Sequence, residues 1–265
     1  IGLKPFASLR SVALEICQKL NWYSPNGKPK IMSGLQALKK LQSKGIIDLP
    51  KNENSRKAHQ KKTTFSQISY PLVECEIAEL VQLDIVLICN SNSIEGRTWK
   101  NLMENFHYLG NCNFFGAQIK YLIKSNLYGP VAALCFSSSA WSIKSRDEYI
   151  GWSHSARKHN LNLIISNSRF LIPAFIRVPN LASHVLSLCT KRLPEDWKSK
   201  YCYEPVLIET FVDREKFDGT VYKAANWLYS GTTVGRGRQD REMKFPETKK
   251  DIYLFPLTPN WRKGL

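Results

Sequence analysis

Leu161-Asn-Leu-Ile-Ile-Ser-Asn-Ser-Arg-Phe-Leu-Ile-Pro-Ala-Phe-Ile176, followed by Arg177-Val-Pro-Asn-Leu-Ala-Ser183, is the stretch on which the fold of this chain turns. The first part is apolar and β-branched, interrupted only by Asn167-Ser168-Arg169 and Pro173, and reads as a strand. A polar turn follows, and the apolar spacing from Leu181 to Leu193 then predicts a helix. Val206 to Val212 reads as a second strand and Phe217 to Trp227 as a second helix. Strand, tight turn, helix, strand, helix is an α/β pattern. Its turn sets backbone N–H groups at a helix N-terminus, where an anion or phosphate binds.

Outward from this core, Leu80–Cys89, Phe114–Ile123 and Val131–Trp141 read as strands, the last two joined at Tyr128-Gly-Pro130. Arg97–Tyr108 carries Trp99, Leu102, Met103 and Phe106 on one helical face, and Arg146–His159 reads as one charged helix. Gly231–Arg241, with two Gly-Arg repeats and a further arginine, reads as a mobile cationic loop, and Asp251–Leu257 closes as a strand. Near the start, Leu9–Leu20 has a helical apolar stripe, broken by the prolines and Asn-Gly turn of residues 21–29. A second helix is expected from an N-cap at Ser33, with Leu35, Leu38 and Leu41 inward and Gly45 closing it; Ile46–Pro50 reads as a short strand. Helix, loop, helix and strand, carrying Lys28, Lys30, Lys39, Lys40 and Lys44, read as a winged-helix-like module or a small helical packing module. Lys51–Thr64, with Arg56, Lys57, Lys61 and Lys62, lacks apolar periodicity and reads as a linker or wing.

The 265 residues carry 38 Lys and Arg against 22 Asp and Glu, a formal charge of +16. That excess points to a polyanion: DNA, RNA or an acidic membrane surface. With 43% hydrophobic residues the chain has ample material for a core. No apolar run is long enough for a transmembrane helix and no signal peptide is visible, so the expectation is a cytoplasmic protein with no membrane partner. The seven cysteines are widely spaced, contain no C-x-x-C pair, and read as reduced thiols without a zinc site. P-loop, H-E-x-x-H, G-x-S-x-G and G-x-G-x-x-G motifs are all absent, which argues against P-loop ATPases, zincins, α/β-hydrolases and Rossmann dehydrogenases.

Arg177-x-x-Asn180-x-Ala182 has the spacing of the R/Q-x-x-G-x-G/A turn of the N-acetyltransferase (GNAT) superfamily, and Tyr222-Lys-Ala-Ala-Asn-Trp227 resembles its late Tyr-x-x-x-Gly-Phe segment. The resemblance implies a GNAT-like mixed sheet over roughly residues 72–258. It also implies a cofactor turn at Arg177, Asn180 and Ala182, and a general-acid role for Tyr222. Asn180 and Asn226 stand where that pattern has glycine, and a side chain there crowds an approaching pyrophosphate, so the cofactor is left unassigned. Whole phrases narrow the likeness: His107-Tyr-Leu-Gly110, Phe136-Ser-Ser-Ser-Ala-Trp141, Arg177-Val-Pro-Asn-Leu-Ala-Ser183, Glu209-Thr-Phe-Val-Asp213 and Gly219–Trp227. As a set they resemble the DruA-like proteins of the Druantia anti-phage defence system, and the last is similar to phage Mom proteins, GNAT-like enzymes that modify adenine in DNA. This implies other Druantia-type defence proteins as partners.

The expected architecture is therefore mixed, α+β to α/β: a basic winged-helix-like module with linker (residues 1–62), then a GNAT-like domain (63–265). The candidate catalytic residues are Tyr222, Glu209, Asp213 and His107. Glu209 and Asp213, four apart on a strand, point to one face as a base or metal pair, or as ordinary ion-pair partners; no metal ligand set is assigned. His107 is a base or a core histidine, and Tyr222 an acid or a core tyrosine. Candidate nucleic-acid contacts are Lys28, Lys30, Lys39, Lys40, Arg56, Lys57, Lys61, Lys62, Arg169, Arg177, Arg236, Arg238 and Arg241. The expected function is a nucleic-acid-binding component of a defence system. The alternatives are an enzyme that modifies or cleaves DNA, and a non-catalytic scaffold.

Overall fold

The computed structural model describes residues 8–23, 29–49, 70–80, 82–111, 114, 116–235 and 248–265. The chain divides into two compact units, residues 1–64 and 65–265.

In the first unit, helix α1 (Leu9–Lys19) starts at Ser8, whose hydroxyl accepts the Ser11 N–H at 3.2 Å, and helix α2 spans Ile31–Ser43. They cross where a Cβ on Gly34 would stand 3.3 Å from the Ala13 carbonyl, so the missing side chain lets the backbones approach. Val12, Ala13, Leu38 and Leu49 form the small core. Three expectations change here. Ser33 sits inside the first turn of α2, which begins after Lys30 without a side-chain cap. Ile46–Leu49 is irregular and not a strand, with Leu49 buried by packing alone. With two helices and no wing strand among the described residues, the winged-helix module is not confirmed.

The second unit is built on a mixed sheet of seven strands: β2 (Leu83–Leu87), β3 (Gln118–Ser125), β4 (Gly129–Ser138), β5 (Ile164–Leu171), β7 (Leu207–Asp213), β8 (Leu228–Thr232) and β9 (Lys250–Pro256). Their spatial order is β2-β3-β4-β5-β7-β9-β8, antiparallel throughout except for the parallel pair β5 and β7. A separate two-residue parallel pair joins β1 (Val73–Glu74) to β6 (Ile176–Arg177). Alternation along the strands sorts the core. Ile119, Tyr121 and Ile123 of β3 and Ile208 and Val212 of β7 pack with helix α6 (Leu181–Tyr201) through Val185, Leu186, Cys189, Leu193 and Trp197. Leu122, Ala133 and Cys135 pack instead with helix α3 (Ile94–Phe106) through Trp99, Leu102 and Met103.

Helix α6 runs on past the predicted Leu193, through Pro194, because Trp197 extends the same buried stripe; it stops at Cys202, in the left-handed region at φ 64°. The single helix expected over residues 146–159 is two, α4 (Lys144–Ile150) and α5 (His154–Asn160). Gly151 at φ 80° ends the first, and the Ser153 hydroxyl caps the second. The expected helix at Phe217–Trp227 shrinks to α7 (Thr220–Ala224), entered through left-handed Gly219. Gly231 and Thr232, expected in a loop, pair with Ile252 and Asp251 in β8.

The decisive feature lies between β5 and β7. They pair only at Ile164–Leu207, Ile165–Ile208 and Ser166–Glu209, although β5 continues to Leu171 and β7 to Asp213. In the β4–β5 register Phe136 faces Asn167 and Cys135 faces Arg169, so Ser168 is an extra residue and β5 bends there. On its other side β7 stays fully paired with β9. The parallel strands therefore part and leave a fork in the sheet.

Two glycines test the backbone account. Gly219 has φ +69°, and a Cβ there would lie 2.5 Å from the hydroxyl oxygen of buried Tyr253; Gly151 has φ +80° with open space around it. We expect Gly151→Ala to cost only the left-handed backbone, about 1–2 kcal/mol, and Gly219→Ala clearly more, measured by denaturant unfolding.

Candidate functional site

The fork opens into a cavity of about 600 Å³. Its throat is closed by side chains that take over where strand pairing stops. The Thr210 hydroxyl donates to the Asn167 carbonyl at 3.2 Å, and the Tyr222 hydroxyl donates to Asn167 Oδ1 at 2.9 Å. The Asn167 amide is held from behind by the carbonyls of Cys135 (3.4 Å) and Arg169 (3.3 Å). Burial pushes the Tyr222 phenol up to about 12, so at neutral pH it stays protonated and can donate.

One wall comes from the segment after α3. His107 caps that helix, and its Nδ1 accepts the Leu109 N–H at 3.2 Å. Burial, assisted by the Arg169 charge, brings its pKa down to about 4. At neutral pH the ring is therefore neutral with its proton on Nε2, a hydrogen-bond donor whose other nitrogen is already engaged. Arg169 is pinned by the carbonyls of Gly110 (3.1 Å) and Ser168 (2.7 Å) and lies over Phe114.

The opposite wall is the end of β7. Asp213 is only 4% exposed; its Oδ1 accepts the Glu215 N–H at 3.1 Å, and its carbonyl receives the N–H groups of Lys216 and Phe217. This turn swings the chain back over the opening. Lys216 Nζ lies 4.6 Å from the Tyr108 ring centroid, and Tyr108 meets Phe217 edge to face at 5.3 Å. The rim is thus half-exposed aromatic surface with a lysine beside it.

The structure brings His107, Arg169, Asp213 and Tyr222 together around this cavity, and Ala182 also lines it. Glu209 lies elsewhere. It is fully buried, 2.7 Å from Arg146 Nη1, and accepts the Ala140 N–H at 2.9 Å. Arg146 also bonds Asp147 Oδ1 at 2.9 and 2.7 Å, and Asp147 in turn meets Arg157 at 3.0 Å. These carboxylates outweigh the burial that would lower the guanidinium's pKa and keep Arg146 charged. Lys39 and Lys40 are exposed on α2, and Lys30 stands half-buried at its start. Lys28, Arg56, Lys57, Lys61, Lys62, Arg236, Arg238 and Arg241 lie outside the described residues. Asn167, Thr210, Tyr108, Lys216 and Phe217 are new to the site. The polar Asn167-Ser168-Arg169 run inside an apolar strand signals Asn167, and the phrases His107–Gly110 and Glu209–Asp213 contain Tyr108 and Thr210.

Arg177 is exposed and 4.0 Å from Glu74. Asn180 starts α6 in the left-handed conformation at φ 62°, and Asn226 matches it at φ 61°. Both line a second groove, of about 320 Å³, with Ile77, Ser183, His184, Ser187, Ala224 and Ala225. A CoA thioester, which the acetyltransferase resemblance implies, would lay its diphosphate here. The asparagines keep the backbone that glycine would give but add two side chains to the groove, and no described lysine or arginine lines it. The residues present do not fit a diphosphate.

The family described as "Druantia protein DruA" matches residues 32–245. No curated protein matches the chain. Among solved structures, spermidine N-acetyltransferase from Vibrio cholerae in complex with CoA and spermine is 9% identical over 66% of this chain and 96% of that one, with a TM-score of 0.43. A candidate phosphinothricin N-acetyltransferase is 12% identical over 67% and 99%, also at 0.43. A candidate acetyltransferase from Acinetobacter baylyi ADP1 is 13% identical over 68% and 96%, at 0.40. With TM-scores below 0.5, these likenesses carry no argument for this chain.

Two outcomes test the site. Glu209→Ala leaves Arg146 without its fully buried partner and should cost about 3–5 kcal/mol in denaturant unfolding. The lowered His107 pKa means that the unfolded chain takes up a proton first. Its share of the stability is intact above about pH 6.5 and is lost as pH falls toward 4. Melting temperatures of His107→Gln should fall less steeply across that window than those of the parent.

Proposed function

The chain belongs to the DruA family of the Druantia anti-phage defence system, and from that premise we propose that it is the system's nucleic-acid-binding component, with DNA as its ligand, on a GNAT-like fold. The observation that carries the reading is the rim of the fork cavity. There Tyr108 and Phe217 sit beside Lys216 and Arg169 in a chain of charge +16. Aromatic faces next to cations are how proteins hold unpaired strands, by stacking bases and tracking phosphates. Lys39 and Lys40 of the first unit add exposed cationic surface for the backbone. Other proteins of the defence system are its expected partners. No helix among the described residues is long and apolar enough to cross a membrane.

A second reading, an enzyme acting on DNA, is favoured by the throat. A phenol kept protonated by burial, a neutral imidazole and a buried carboxylate around one cavity are the components of acid–base chemistry on a bound base. Mass spectrometry of nucleosides after incubation of DNA with the protein and cell extract would register a new base, and Tyr222→Phe should abolish it.

For the first reading, fluorescence anisotropy with single-stranded DNA should show log affinity falling linearly with log salt, by about 0.7 per phosphate contacted. Lys216→Gln should lower that slope by about one contact. Salt-insensitive binding, or none at low salt, would remove the proposal.

A further inference from the structure

Asp213 is the anomaly of the fork cavity. Its carboxylate is almost wholly buried, yet the one hydrogen bond to it among the described residues comes from the Glu215 N–H, to Oδ1. Its Oδ2 has no described partner, and no described lysine or arginine forms an ion pair with the group. The chain invests elsewhere in pairing such carboxylates. Glu209, equally buried, meets Arg146 at 2.7 Å. Asp213 Oδ2 is not sealed from solvent and meets the cavity as an open acceptor. Since Asp213 lines the cavity, that oxygen is an acceptor presented to a ligand.

The remaining walls say what kind of donor. Rings at the rim fit a flat ligand: Phe217 is half-exposed, and Tyr108 meets it edge to face. Lys216 stands beside them, so an anionic group on the same ligand is matched at the mouth while an N–H is matched inside. A flat ring with an N–H donor at one end and a phosphate at the other is a nucleotide with an amino-bearing base. The cavity volume, about 600 Å³, holds one such unit.

We propose that the fork cavity receives a single unpaired nucleotide and that Asp213 selects a base with an exocyclic amino group. The inference rests on the nucleic-acid reading above and names the substrate class of the same site. The amino N–H donates to Asp213 Oδ2, while the Lys216 ammonium faces the phosphate at the mouth. A base that presents a carbonyl at the same position sets its lone pairs against the carboxylate and is rejected. Asp213 is a specificity residue in this account, and no bond is made or broken.

Cytosine and uracil differ only in the amino group against the carbonyl and in the adjacent ring proton, so they isolate the interaction. We would measure anisotropy with equal-length single strands of deoxycytidine and of deoxyuridine, at one low salt concentration and neutral pH, against the whole chain. The expected result is about tenfold tighter binding of the deoxycytidine strand. A strand of N4,N4-dimethyldeoxycytidine, which lacks the donor, should bind no better than deoxyuridine. Asp213→Asn keeps an acceptor for the Glu215 N–H, so the turn survives, and it should bring the two natural strands to near-equal affinity. Equal affinity of the parent chain for the deoxycytidine and deoxyuridine strands overturns the inference and leaves the nucleic-acid reading standing. A preference that survives in a folded Asp213→Asn variant overturns Asp213's role. Absence of binding to every strand overturns both readings together.

Discussion

Two parallel strands that share three residue pairs and then separate set the character of this molecule. The extra residue at Ser168 bends β5 away, while β9 holds β7 straight along its whole length. Backbone groups freed by the separation need other partners, since an unpaired buried peptide group is expensive. Thr210 meets that need at the throat by donating to the Asn167 carbonyl in place of a neighbouring strand, and Tyr222 donates to the Asn167 side-chain amide oxygen. The cavity is therefore a consequence of sheet geometry, and the polar residues around it are obliged to be there before any ligand arrives.

Three of the groups around the fork are fixed by something behind them. Asn167 is held by two carbonyls, Arg169 by two more, and Tyr222 is stacked on Tyr253, which itself packs where Gly219 has no side chain. On the far side of β7 the Arg146–Glu209 pair ties the strand to α4. Such supports keep a site's groups in place at little entropic cost on binding. They also separate two carboxylates that look equivalent on the strand. Glu209 is neutralised by a guanidinium, whereas Asp213, at the strand's end, faces the opening.

The candidate site was partly legible in the residues. Tyr222, His107, Asp213 and Arg169 were all recognised as chemistry-bearing, and all four line one cavity. Glu209 was grouped with Asp213 because period-two alternation puts residues four apart on one face. Alternation says nothing about which partner waits on that face, and Arg146 is 63 residues away in the chain. The rim was missed for a related reason. Phe217 opens the helix expected over Phe217–Trp227 and Lys216 lies just before it; the turn closed on the Asp213 carbonyl makes them a lip over the opening, and the helix starts only after left-handed Gly219.

By itself the sequence determined six of the sheet's seven strands, the apolar stripes of α3 and α6, the excess of positive charge and the family likeness. Each of these is written in local periodicity, in composition or in the order of conserved-looking phrases. Tertiary structure alone decided the rest: that β5 neighbours β7, that they part after three pairs, and which buried carboxylate finds an arginine. It also decided that α6 runs through Pro194, because burial of Trp197 outweighs the lost hydrogen bond, and that Ile46–Leu49 is no strand, because no strand among the described residues pairs with it. Pairing and burial depend on residues far apart in the chain, and no local pattern encodes them.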